Sequence, residues 1–340
     1  MRRILFLIAV ALSATLVRAQ DAENVGNSAQ LSIIPRIDLN PYVGFRSDAG
    51  SDFSLSNSSL YTLFEGSFGE HFSYSIMNHW LSDEPASLYQ DTFFHSDVNT
   101  WCDWANLTYS LGDFSFTAGK CFMALGLWEM DAYDYESHYD LNTTIWNEMP
   151  VYQWGGGVTL NHGEYASSML QLVSSPFTVK PFQDWVHTAS VLTRRDADDF
   201  SYLASLNFVG YERSHYIKML NGGVTYSFAD NYTVGVDASW RIDRDLHINE
   251  GSFTGTFEYD PSDKLNLIAK AGFEDCRELN GFNLPLYAVD GRFFGGLAAH
   301  YFPLRDNDAL RLHAVVAYDN GYAGLSINVG ALYNLTINIK

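Results

Sequence analysis

The last sixteen residues, Leu325 to Lys340, alternate with a period of two over their whole length. One face carries Leu325, Ile327, Val329, Ala331, Tyr333, Leu335, Ile337 and Ile339. The other carries Ser326, Asn328, Gly330, Leu332, Asn334, Thr336, Asn338 and Lys340. A period of two belongs to a β-strand, and unlike faces require one oily and one wet environment. Strands of soluble proteins typically run about 5–6 residues, whereas a tilted strand crossing a bilayer needs roughly 9–11. The segment therefore reads either as a long surface strand of a soluble sandwich or as the closing strand of a membrane barrel.

Upstream segments favour the barrel. Tyr232, Val234, Val236, Ala238 and Trp240 alternate with Thr233, Gly235, Asp237, Ser239 and Arg241, and residues 265–274 and 310–319 repeat the pattern. Strands are expected at 37–46, 58–68, 72–80, 101–111, 114–122, 151–160, 165–173, 185–194, 200–210, 216–228, 232–242, 252–259, 265–274, 292–302, 310–318 and 325–339. The segments 37–46, 165–173 and 185–194 alternate least cleanly, and a count of fourteen follows if some are dropped. No stretch shows a convincing helical period of 3.6. Short connections rich in Gly, Asp, Asn or Pro, such as Gly112-Asp113 and Ala229-Asp230-Asn231, take turns with long ones at 81–100, 123–150, 174–184, 243–251 and 275–291. Tight turns on one rim and loops on the other are the asymmetry of outer-membrane barrels.

The N-terminus names the compartment. Met1-Arg2-Arg3, an apolar run from Ile4 to Val17 and small residues near Ala19 form a secretory signal peptide over 1–19. Without Arg2, Arg3 and Arg18 the formal net charge of −20 becomes −23. Residues 20–36 are expected to be a periplasmic leader and 37–340 the barrel. No later window approaches the roughly 18 consecutive apolar residues of a membrane helix. Aromatic residues cluster at strand ends. Phe68, Phe72, Tyr109, Phe114, Tyr165, Phe200, Phe228, Tyr232, Tyr259 and Tyr301 flank short turns. Trp80, Trp101, Phe122, Trp154, Trp185, Trp240, Phe253 and Tyr318 flank the opposite ends. Two such rows bounding an apolar band are the girdles of a transmembrane barrel. The fold class is thus all-β, a transmembrane antiparallel β-barrel of about sixteen strands.

Chemistry-bearing motifs are sparse. There is no Gly-x-Ser-x-Gly elbow, His-Glu-x-x-His pair or Gly-Lys-Ser/Thr loop, so no catalytic, cofactor or metal residues are assigned and no enzyme is expected. A barrel hydrolase would need a Ser and a His at one level on adjacent strands. Cys102 and Cys121 flank the Gly112-Asp113 turn and lie near enough in hairpin register for a disulfide to be one outcome. No nucleic-acid partner suits so acidic a chain.

Residues 119–129, Gly-Lys-Cys-Phe-Met-Ala-Leu-Gly-Leu-Trp-Glu, resemble a strand-to-loop segment of the phosphate-selective-porin-like (porin O and P) family. Gly155-Gly156-Gly157-Val158-Thr159-Leu160 resembles the strand returning from that loop. The resemblance implies a sixteen-stranded, usually trimeric channel passing small hydrophilic solutes or ions. It also implies partners in outer-membrane lipid and the barrel-insertion machinery. Two departures stand out: the chain ends Ile339-Lys340 rather than on an aromatic residue, and it lacks a basic run for phosphate.

In general porins the third long loop folds inward, so the resemblance implies a constriction at 123–150. That loop holds Glu129, Asp131, Asp134, Glu136, Asp140 and Glu148 with no Lys or Arg, which would attract cations. The opposing expectation leaves these acids in an external loop, binding divalent cations among lipid head groups. Asp131, Asp134 and Glu136 also offer calcium ligands, without EF-hand spacing. Parity places Arg46, Arg241, Lys270, Arg292 and Arg311 on the polar wall face with Glu65, Asp237, Glu258 and Glu274. Lys120 shares parity with Phe114, Phe116 and Phe122. It either sits at the outer rim or is turned inward by a bulge near Gly119. A competing class is a binding or adhesion barrel whose loops 81–100 and 123–150 engage a ligand such as a sugar.

Overall fold

The computed structural model describes residues 30–39, 42–46, 50–54, 59–81, 102–131, 140–178, 180–229, 231–242, 248–275, 286, 291–304, 309–321, 324–334 and 337–339. They form one antiparallel sheet of nineteen segments. In chain order these are β1 (Gln30–Leu39), β2 (Tyr42–Arg46), β3 (Gly50–Ser54), β4 (Ser59–Phe68), β5 (Phe72–Leu81), β6 (Cys102–Leu111), β7 (Phe114–Phe122), β8 (Tyr152–Asn161), β9 (Ala166–Ser174) and β10 (His187–Arg195). Then follow β11 (Phe200–Glu212), β12 (His215–Phe228), β13 (Tyr232–Ile242), β14 (Ile248–Ser262), β15 (Leu265–Asp275), β16 (Arg292–Tyr301), β17 (Leu310–Asp319), β18 (Gly324–Asn334) and β19 (Ile337–Ile339).

Three of the nineteen are continuations: β2 extends β1, β3 extends β4, and β19 extends β18, which leaves sixteen staves. The sheet closes because β1 pairs on one side with β4, Ile34 opposite Leu63, and on the other with β18, Arg36 opposite Asn334. An even number of antiparallel staves brings the first and last together antiparallel, and closure removes the exposed edges.

The weaker segments are all present: β9 and β10 pair in unbroken register from His187↔Ser174 to Arg195↔Ala166. The N-terminal edge differs from expectation. β1 begins at Gln30, inside the stretch read as leader, and the β2–β3 hairpin adds a strand at Gly50–Ser54 that the sequence pattern did not suggest. The polar residues at the start of β1, Gln30 and Ser32, read as leader, and Pro35 sits within the strand opposite Thr62. Tight turns close the short rim, with Gly69 at φ 63° and Gly112 at φ 56° supplying the left-handed conformation such turns need.

Polarity is inverted relative to a soluble fold. Leu170, Leu172, Val236, Phe253, Leu297 (65% exposed) and Val329 face outward, while Asn207, Asn221, Ser239, Thr254, His313 and Asn328 are buried inside. β17 shows the alternation cleanly, with Leu312, Val316 and Tyr318 exposed and Arg311, His313, Val315, Ala317 and Asp319 buried. At the short-turn rim the aromatic row is continuous in places: Phe68 stacks on Phe72, which meets Tyr109, and Tyr232 stacks on Phe228 and Tyr259. At the other rim Trp154, Trp185, Phe253 and Tyr318 are exposed. Phe122 departs from the expected row and packs on Tyr152 and an interior apolar cluster.

Two local alternatives resolve. The β6–β7 ladder runs from Leu111↔Phe114 to Ala105↔Lys120 with no register shift. No bulge turns Lys120 inward: it keeps the parity of Phe114, and its ammonium donates to the Cys102 carbonyl. Cys102 and Cys121 are both buried free thiols. The β6–β7 ladder, continued past Ala105↔Lys120, sets Cys121 level with Trp104, two residues from Cys102, so the hairpin register does not place the two thiols opposite each other.

Candidate functional site

The described residues of the connection from β7 to β8, 123–131 and 140–151, lie against the inner wall of the barrel. Met123 N donates to Val151 O across the base of the connection (2.8 Å), and the chain then runs along the inner wall. Ala124 N donates to Gln171 Oε1 of β9 (2.9 Å). The Leu125 carbonyl accepts from Asn221 Nδ2 of β12 (2.6 Å) and from the Ser205 hydroxyl of β11. Gly126, at φ 71°, lies so close to the wall that a Cβ there would stand 2.7 Å from that of Ser205.

Two short helices follow, α1 (Trp128–Asp131) and α2 (Thr144–Glu148), and a wall carboxylate meets the start of each. The first N–H groups of a helix have no partner within it, and the peptide dipoles favour negative charge there. Asp237 of β13 accepts from Trp128 N and Glu129 N, both at 2.9 Å. Glu274 of β15 accepts from Thr144 N and Thr144 Oγ1, both at 2.7 Å. Thr143 caps α2 through its side chain, which accepts from Trp146 N.

Between the helices lies a chain of paired charges. Glu129 accepts from Thr143 N (3.0 Å) and Thr143 Oγ1 (2.5 Å), and Lys270 Nζ sits 2.6 Å from its Oε1. Lys270 also donates to Asn142 Oδ1 (3.0 Å). Arg292, 1% exposed, donates to the Asn142 carbonyl (2.9 Å), to Glu274 (3.3 Å) and to Asp319 (2.6 Å from Nε). Each charge here is desolvated but opposed and hydrogen-bonded, the condition under which buried ions are tolerated.

Apolar contacts complete the seat. Met123, Leu125, Leu127, Met130, Ile145 and Met149 pack with inward-facing Val173, Val209, Ile217 and Met219, and Leu141 packs on Ala298, Val315 and Ala317. Wall glycines clear room: a Cβ at Gly223 would stand 2.7 Å from the Trp128 ring, and one at Gly296 would stand 2.9 Å from Leu141.

The expected site residues therefore divide. Glu129 joins Lys270, while Asp140 is half-buried at the far arm of the loop. Asp131 lies in α1, though its side chain, like that of Glu148, lies outside the described residues, as do Asp134 and Glu136 entirely. The loop lacks its own counter-charge, as its composition indicates, and the wall supplies one. Asp237, Lys270, Glu274 and Arg292 all face inward as parity requires but hold the loop. Arg241 pairs with Glu250 of β14 (3.3 Å), and Arg311 is buried in β17. Glu258 is half-buried near the short-turn end of β14. Sequence reasoning missed Gln171, Asn221, Asn142, Thr143 and Thr144, uncharged residues whose role depends on a loop folded back over distant strands.

Exposure inside the barrel rises from the level of the loop toward the short turns. Beside the loop the inward residues of β11 to β17 are buried or half-buried, and Met77, Asn78, Cys102, Trp104 and Cys121 opposite are buried; nearer the short turns Glu65 and Ser73 are exposed and Ser75, Thr108, Ser110, Ser115, Thr117 and Thr159 are half-buried. Hydroxyls line this second face in cross-strand pairs, Thr108 with Thr117 (2.9 Å) and Ser110 with Ser115 (3.1 Å), and Ser75 donates to Glu65 (3.3 Å). Among the described residues of β4 to β8, Glu65 is the one carboxylate with inward parity.

This arrangement has counterparts among solved structures. A Rhodopseudomonas blastica porin triple mutant aligns at 14% identity with a TM-score of 0.57, covering 91% of this chain and 100% of that one. A quadruple-alanine variant of Rh. blastica porin aligns at 15% identity and 0.60 over the same shares. A structure described as "Asymmetric conductivity of engineered proteins" matches equally at 15% and 0.60. The fold is that of a porin barrel. At such identities the likeness speaks for the fold alone. No family model matches the chain, and no curated protein matches it either. The finer resemblance to porins O and P thus rests on its short motifs.

Proposed function

We propose that the chain is an outer-membrane porin that passes small hydrophilic solutes or ions by diffusion through a water-filled lumen, with residues 1–19 acting as an export signal. The observation that carries this reading is the inverted polarity of a closed sixteen-stave sheet, oily outside and hydroxyl-lined within, with a loop seated inside it. A barrel with such an exterior needs lipid around it, and an inward loop narrows rather than seals a lumen of this width.

In this reading the loop 123–150 forms one side of the constriction. Water passes beside the loop and on along the hydroxyl-lined face of β4 to β8, whose inward groups nearer the short turns keep their exposure. Asp131, Asp134, Glu136 and Asp140 supply the negative potential; Glu129 contributes little, because Lys270 neutralises it. Insertion by the barrel-insertion machinery and association as a trimer complete the proposal, and no catalytic role enters it. Purified protein reconstituted in a planar bilayer should give stepwise ohmic conductance and heat-modifiable migration on gels. A folded barrel that never conducts would overturn the channel reading, and a monomer mass in mild detergent would overturn the trimer.

A further inference from the structure

A cleft of 470 Å³ opens at the long-loop rim between the β9–β10 connection and the end of the β11–β12 hairpin. Phe177 and Tyr211 give it aromatic walls, and Gln183, Asp184, Glu212 and Arg213 ring it with polar groups. Its two aromatic walls also pack against the apolar cluster beneath the inward loop, while its mouth opens at the rim.

The cleft is built and braced. Ser175 Oγ donates to Gly210 O, tying the connection to β11, and Phe177 N donates back to Ser175 Oγ (3.0 Å). His187 bridges Trp185 O (2.7 Å) and Tyr216 OH (3.1 Å), which fixes the two sides relative to one another. Within this frame Phe182 (φ 54°), Asp184 (φ 51°) and Trp185 (φ 63°) all adopt the left-handed conformation that non-glycine residues avoid. Strain of this kind persists where surrounding structure over-determines it, and it concentrates at ligand sites. Here it leaves the Asp184 carboxylate exposed at the mouth and Trp185 63% exposed beside it.

We propose that this cleft binds a neutral sugar. Its volume falls in the range of small-molecule pockets. Aromatic faces suit the C–H face of a pyranose ring, while two carboxylates and an amide oxygen offer acceptors for hydroxyl donors. Two carboxylates against one guanidinium disfavour phosphates and other anions. The inference is independent of the channel reading, since it needs only the folded rim.

The test is saturation-transfer NMR on the full chain in detergent, titrated with glucose, galactose, maltose and lactose. At least one should show saturable binding, weakened about tenfold or more by Asp184→Ala with Glu212→Ala, as losing about 1.4 kcal/mol requires. Tyr211→Ala should also weaken it, and Asp184→Asn, which suits the left-handed backbone there, should weaken binding with conductance unchanged. No saturable binding of any of the four sugars, or binding unaffected by these variants in a heat-modifiable barrel, would overturn the proposal.

Discussion

Lys270 Nζ lies 2.6 Å from Glu129 Oε1, so wall strand β15 supplies the counter-charge that the loop sequence lacks. Both side chains are nearly buried, and the geometry makes a sharp prediction. Lys270→Met should leave Glu129 desolvated and unopposed, loosening the loop by about 3–5 kcal/mol. Glu129→Gln in the same chain should recover most of that loss. Exchange protection of the Thr143 amide, which donates to Glu129, reads the effect directly. A double variant no better protected than Lys270→Met alone would show that the pair is not coupled.

Asp237 makes a second, separable attachment through the amides of Trp128 and Glu129. Hydrogen bonds to a charged group contribute roughly 1.5–3 kcal/mol each. Asp237→Ala should therefore release both amides to exchange by at least tenfold, whereas Asp237→Asn retains one acceptor oxygen and should cost less. Equal exchange in the two variants would mean that the carboxylate does not anchor α1.

Steric room supplies a third test. Gly223 faces Asp237 and the Trp128 ring within 2.7 Å of where a Cβ would sit, whereas a Cβ at Gly255 meets nothing within 4 Å. Gly223→Ala should displace α1 and destabilise the barrel by about 1–3 kcal/mol through overpacking. Gly255→Ala should be neutral in the same thermal melt.

Both described cysteines are buried thiols. Without reductant, a maleimide should label Cys102 and Cys121 only after denaturation, and peptide masses should show both modified. Recovery of a peptide linked through the two sulfurs would contradict the register of β6 against β7.

How far the sequence foretold all this follows from the range of each interaction. Alternation such as Leu325 to Asn334 is local: a period of two marks the strand and sorts its faces without knowledge of any partner. Turn chemistry at Gly112 is equally local. The seat of the loop is not. Trp128 meets Asp237 and Thr144 meets Glu274 across more than a hundred residues, and nothing in either segment names the other. Parity sets Lys270 on the wall opposing the acidic loop, but neither parity nor composition says that it meets Glu129. The inward apolar residues Val209, Ile217 and Met219 are likewise legible only once the loop's Leu125 and Leu127 lie on them.

The last prediction concerns which charges solutes meet. Arg241, Glu274 and Arg292 are consumed in buried pairs, so their fields reach the aqueous path as weak dipoles. Glu65 is exposed on the hydroxyl-lined face, and in the proposed constriction the loop acids other than Glu129 add their negative charge. A modest preference for cations follows, falling as added salt shortens the screening length from about 10 Å at 0.1 M to about 3 Å at 1 M. Under a KCl gradient, Glu65→Gln should move the reversal potential toward zero, and Asp131→Asn with Asp134→Asn should move it further in the same direction. Glu274→Gln should change loop stability more than selectivity. Chloride preference in the unaltered chain would reject the acidic path. A shift with Glu65→Gln but none with the loop pair would put the loop acids outside it.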